Sequence, residues 1–145
     1  MKWISVLAIA GAAFCACLPA TSAAPGRADQ VVALLEPGLG VGEVRIGGRL
    51  PQRDTYYQRL GLKVDLENGN GTPVAAIWTK SKRFATKEGI RVGSSFKQVR
   101  QAFASGKEDT ESFNPGCEHL WLGPGINFLI NRNKVAEIRI AAIQN

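Results

Sequence analysis

The residues best equipped for chemistry lie together in Cys117-Glu118-His119-Leu120-Trp121, and His119 is the one histidine of the chain. On a strand, Cys117, His119 and Trp121 share one face, while Glu118 and Leu120 share the other. A Cys and a His at this spacing supply two zinc ligands. Beyond the leader, no further Cys or His exists to complete a tetrahedral site. A thiolate–imidazole pair needs converging side chains and an orienting third group. Positions two apart on a strand are about 6.5 Å apart at their backbones, too far for a direct pair. His119 is therefore expected to be structural. A serine nucleophile would need the same histidine as its base. Ser94-Ser95 lies in neither a Gly-x-Ser-x-Gly nor a Gly-Lys-Ser/Thr motif, and reads as a helix cap. Glu108, Asp109 and Glu111 sit in a polar run and read as solvated rather than as a catalytic carboxylate pair. The expectation is a protein that is not an enzyme, with no catalytic residue, no cofactor and no metal.

Features suited to binding are more plentiful. Tyr56, Tyr57, Trp78 and Trp121 are large amphipathic side chains of the kind that anchor interfaces. Trp78 precedes a stretch in which Lys80, Lys82, Arg83, Lys87, Arg91, Lys97 and Arg100 meet one acid, Glu88. The expected partner-binding residues are Tyr56, Tyr57, Trp78, Lys80, Lys82, Arg83, Lys87, Arg91 and Trp121. The whole chain carries a formal charge of +6. For an exported protein, an acidic protein surface, an anionic lipid or a wall polymer suits this charge better than nucleic acid does.

Export is read from residues 1–23. Lys2 supplies a positive start, Ile4 to Leu18 is almost wholly apolar, and Pro19 ends any helix. Cleavage after Ala23 suits the small residues around it and avoids placing Pro25 directly after the cut. The apolar run of about fifteen residues is shorter than the roughly twenty needed to span a bilayer. A periplasmic or secreted protein follows, made of residues 24–145. An alternative uses Cys17 as a lipidation site that anchors the protein at the outer membrane. Its preceding triplet, Phe14-Cys15-Ala16, differs from Leu-Ala-Gly at the first two positions. Removal of the leader leaves Cys117 alone, so no internal disulfide is expected.

These side chains must be positioned by a small set of elements. Residues 24–38 form a flexible start and a short helix over Ala28 to Leu35, ended by Pro37-Gly38. Residues 39–145 form one domain made of half-repeats, about 40–84 and 86–142. Val44-Arg45-Ile46-Gly47 matches Ile90-Arg91-Val92-Gly93, and Leu50, Gln52 and Tyr57 match Phe96, Gln98 and Phe103. The closing strands share Val-Ala-x-Ile at Val74 and Val135. Leu62 to Leu66 alternates at period two, Asn68 to Gly71 turns, and Val74 to Thr79 returns. Ile126 to Ile130, Asn131 to Lys134 and Val135 to Ile140 repeat that hairpin. Ser94 or Ser95 caps a helix with Phe96, Val99, Ala102 and Phe103 on one face. In the first half Pro51 falls inside the matching segment, where only a first helical turn tolerates it. Between helix and hairpin the second half carries an additional strand, Cys117 to Leu122. The expected fold is α+β: an antiparallel sheet with helices on one face, built from two related strand-helix-hairpin units.

Gly89-Ile90-Arg91-Val92-Gly93-Ser94-Ser95-Phe96-x-x-Val99 resembles a helix-plus-hairpin unit of small bacterial envelope domains. The β-lactamase-inhibitor protein and the small lipoprotein of the β-barrel assembly machinery contain such units. The chain is more similar to the sigma-E-regulated envelope lipoprotein family of unknown function. The similarity lies in Gly40-Val41-Gly42-Glu43-Val44, in Thr-x-x-Gly-Ile-x-Val-Gly at Thr86 to Gly93, and in Ala102-Phe103. It covers roughly residues 40–140. The resemblance implies a membrane anchor and a disulfide. The chain departs from both, through its lipidation triplet and the lack of a cysteine just after the helix. No catalytic residue carries over. The resulting expectation is a non-enzymatic envelope or secreted binding protein of inhibitor, immunity or assembly-accessory type. The alternative is an envelope-stress lipoprotein with a structural role at the outer membrane.

Overall fold

The computed structural model describes residues 30–50, 59–67, 73–109 and 118–143. The leader, Cys17, Pro51, Tyr56, Tyr57, the Asn68–Gly71 turn, Glu111 and Cys117 lie outside the described residues.

Ten strands and one helix make up the described chain. In order they are β1 (Ala33–Glu36), β2 (Gly40–Val41), β3 (Val44–Arg45), β4 (Leu62–Leu66), β5 (Val74–Thr79), β6 (Phe84–Thr86), α1 (Phe96–Ala102), β7 (Lys107–Asp109), β8 (His119–Gly123), β9 (Ile126–Asn131) and β10 (Lys134–Ala141). They form a 4-stranded sheet, β3-β2-β1-β6, and a 6-stranded sheet, β4-β5-β10-β9-β8-β7. The α+β expectation is thereby corrected, because the described fold is mostly β with a single helix of 7 residues. Strands of two residues, such as β2 and β3, leave no periodicity to read, so the smaller sheet escapes a sequence pattern.

The expected helix over Ala28 to Leu35 is a second correction. Ala33–Glu36 is a strand, paired antiparallel with β2 and parallel with β6. Its neighbours Leu34 and Leu35 face opposite ways, 50% and 2% exposed. A short run of apolar residues fits either period, and here the open edges of β2 and β6 decide it.

The two halves of the larger sheet are built by the same backbone bonds. The Gly47 N–H donates to the Val74 carbonyl at 2.8 Å, and the Val74 N–H to the Gly48 carbonyl at 2.9 Å. Gly93 donates to Val135 at 2.8 Å, and Val135 to Ser94 at 2.8 Å. Both glycines stand at positive φ, 75° and 94°. That backbone conformation is strained for residues with a Cβ, which explains the shared glycine at the end of both matched tetrapeptides. Each closing strand then carries a one-residue irregularity, at Ala75 and at Ala136. Where β5 meets β10, Ile77 pairs with Ile140, Thr79 with Ile138, and Trp78 with Arg139. Matched positions exchange partners, so a local two-fold relates the strands about the Trp78–Arg139 pair.

Alternation along the strands sends one face inward. Leu62, Ile77, Phe128, Ile130, Ile138 and Ile140 join Leu35, Val41, Val44 and Phe84 of the smaller sheet in one core. Helix α1 seals that core with Phe96 and Val99, and Phe103 follows at its C-cap, its ring centroid 4.9 Å from that of Phe128. The helix starts where a capping box forms, Ser95 accepting from the Gln98 N–H while the Gln98 side chain accepts from the Ser95 N–H. Seven residues are too few to hold a helix without such help. Ser95→Ala is expected to cost about 1 kcal/mol, read from the urea unfolding midpoint.

Candidate functional site

The outward face of the larger sheet carries one unbroken cross-strand row: Lys63, Trp78, Arg139, Asn127, Leu122 and Lys107. Ile77 and Ile138 turn inward beside Trp78 and Arg139, so period-two alternation puts the indole outside. Trp78 is half-buried at the point where the two halves of the sheet meet. The Lys63 ammonium lies 4.5 Å from its ring centroid, in cation–π contact. Its Nε1 points at the Asp65 carboxylate, 3.5 Å away. Asp65 in turn faces Arg139 at 3.8 Å, and Lys80 faces Glu137 at 3.6 Å. Ion pairs this exposed contribute little stability; they hold the rim around the indole in place.

A hollow of about 300 Å³ opens beside the ring, lined by Gly61, Lys63, Trp78, Lys80 and Ser81. Its wall is fixed from below by Thr79, which is 1% exposed. The Thr79 hydroxyl donates to the Gly61 carbonyl at 2.9 Å and accepts from the Ser81 N–H at 3.0 Å. Thr79→Val keeps the shape but leaves both backbone groups unpaired. A loss of about 1–3 kcal/mol is expected in urea unfolding. A second hollow of about 590 Å³, lined by Lys107, Leu122, Asn127 and Ala141 among others, sits at the far end of the row.

The linear basic stretch is divided by the fold. Lys80 stays with Trp78 on the sheet face. The turn over Lys82 and Arg83 then leaves the larger sheet for β6 in the smaller one. Lys82 and Arg91 meet at a separate cleft with Gly93, Ser94 and Gln98. Lys87 is exposed in the turn after β6. Charges on the sheet face balance: Lys63, Lys80, Arg139 and Lys107 stand among Asp65, Glu67, Glu137 and Asp109. Tyr56 and Tyr57 lie outside the described residues.

Trp121 does not join Trp78. It pairs with Phe128 on the inward face, its Nε1 donates to the Phe103 carbonyl at 3.2 Å, and it meets Phe96 edge-on. His119 stacks on Phe96 with centroids 5.2 Å apart, and its Nδ1 meets the Glu108 carboxylate. The exposed ring thus has one face on Phe96 and a carboxylate at its polar edge. Among the described residues, no group of three or more His, Cys, Asp or Glu could hold a metal ion.

Lys63, Asn127 and Arg139 belong to the face but escape a search for charge runs. The alternation Leu62-Lys63-Val64 carries the signal for Lys63, and Ile138-Arg139-Ile140 carries it for Arg139. No protein-family model, curated protein or solved structure matches the chain. The resemblance drawn above therefore rests on its quoted residues alone.

Proposed function

We propose that the chain is an exported, non-enzymatic binding protein that holds another envelope or secreted protein against the open face of its six-stranded sheet. The observation that carries this is Trp78, set half-buried at the junction of the two sheet halves beside a hollow of about 300 Å³. Interfaces draw most of their energy from such aromatic anchors, enclosed by a polar rim that excludes water. Here the rim is the set of charges paired around Asp65, Lys80, Glu137 and Arg139. The ammonium groups of Lys63 and Lys80 at the hollow favour a partner that presents a carboxylate next to an apolar side chain.

The reading is tested by affinity capture from native envelope and culture-medium extracts, with Lys63→Glu/Lys80→Glu alongside. A stoichiometric protein partner that is lost in the double variant supports it. A partner retained by the double variant removes this face from the account.

A further inference from the structure

The turn between β9 and β10 presents a cation at a backbone cost. Arg132 and Asn133 both take positive φ, 50° and 60°, as a two-residue hairpin turn requires. Asparagine and glycine enter that region with little strain, whereas arginine does not. A guanidinium is nevertheless held at this exposed tip.

The tip is packed into a larger basic crest. The Phe96 N–H donates to the Asn133 carbonyl at 3.0 Å, and Ser95 bridges to Lys134. Gly93 bonds to Val135, and the Lys82 Cε stands 3.7 Å from where a Cβ on Gly93 would be. Lys82, Arg91, Ser94 and Gln98 line a cleft of about 400 Å³ whose walls include Gly89 and Gly93. Lys97 is exposed at the start of α1. Lys82 and Arg91 share the cleft, and the exposed Lys97, Arg132 and Lys134 stand on the two segments whose backbones adjoin it. Among the described residues, the acids of this neighbourhood are Glu88, beside Gly89, Glu118, whose N–H bonds to the Ile130 carbonyl, and Glu108, whose carboxylate meets the His119 ring stacked on Phe96.

We propose that this crest docks the protein on an anionic membrane, with one lipid headgroup phosphate seated in the cleft between Lys82 and Arg91. Guanidinium and ammonium groups give charge-assisted bonds to phosphate oxygens. The glycines leave room for the phosphate to approach the backbone. Among the described residues the cleft is lined mainly by cations, glycines and small polar groups, which suits a polar headgroup better than an apolar anchor. Cations dispersed over a turn, a cleft and a helix end suit a fluid charged surface. This inference goes beyond the protein-binding reading and rests only on its export component, through which the protein meets a membrane.

The test is co-sedimentation of the chain with phosphatidylcholine vesicles, with and without phosphatidylglycerol. Binding is expected only with the anionic lipid, weakening as salt is raised. Each basic residue near such a surface is worth about fivefold in partitioning, so Lys82→Gln/Lys97→Gln/Lys134→Gln is expected to lose about a hundredfold. An unchanged urea midpoint shows that this variant is folded. Lys63→Gln/Lys80→Gln and Trp78→Ala, at the hollow beside the indole and away from the cleft, keep full vesicle binding. Equal binding to pure phosphatidylcholine, or full binding by the triple variant, overturns the proposal. Polyglutamate competing as well as vesicles of equal charge overturns the lipid assignment.

Discussion

Replacing Trp78 with alanine is expected to weaken binding of the protein partner about 30-fold or more, a hot-spot loss of about 2 kcal/mol. The indole is the largest side chain of the row Lys63-Trp78-Arg139, and it borders the hollow at Gly61 and Ser81. Truncation removes the wall of that hollow and the surface on which the Lys63 ammonium rests. It also leaves Asp65 without the indole N–H. The stability cost is small by comparison, because the ring is half-exposed and its ionic neighbours are solvated. Titration calorimetry with the captured partner, paired with urea unfolding, separates the two quantities. A large affinity loss at a nearly constant midpoint is the expected pattern.

Phe128→Ala is expected to reverse that pattern, losing about 3–5 kcal/mol of stability. Phe128 is 0% exposed and packs against Phe103, so the helix and the centre of the large sheet meet on its ring. Marginal domains hold only about 5–15 kcal/mol in total, so the variant should be near its folding limit at room temperature. The urea midpoint reads the loss directly. A drop below about 1 kcal/mol would show that the inner face of the six-stranded sheet is not the core.

How far these features were legible in the sequence depends on the range of the contacts that create them. The capped helix at Ser95 and the hairpin around Asn131 to Lys134 follow from local signals, a cap residue and period-two alternation. The same alternation, Ile77-Trp78-Thr79, already separates the outward indole from the inward Ile77. The strand at Ala33–Glu36 is different. Its state is set by β2 and β6, and β6 lies about fifty residues away in the chain. The α+β expectation failed for that reason, since the smaller sheet is made of strands too short to leave a pattern.

The candidate site was partly legible for a similar reason. A run of basic residues reads as one surface only while the chain stays on one element. Lys80 remains on β5, but the turn over Lys82 and Arg83 crosses to the other sheet, so Trp78 and Arg91 serve separate surfaces. Arg132 and Lys134 join the crest through contacts with Ser95 and Phe96, which no spacing rule anticipates. Trp121 showed the converse. Its type suggests an interface, but its position opposite Phe128 turns it inward.

The binding face is tested by hydroxyl-radical footprinting of the chain with and without its protein partner, read by mass spectrometry at the two tryptophans of the described residues, Trp78 and Trp121. Oxidation of Trp78 is expected to fall severalfold in the complex while oxidation of Trp121 is unchanged. Equal oxidation of Trp78 in the free and bound chain would contradict the assignment of the open sheet face as the binding surface.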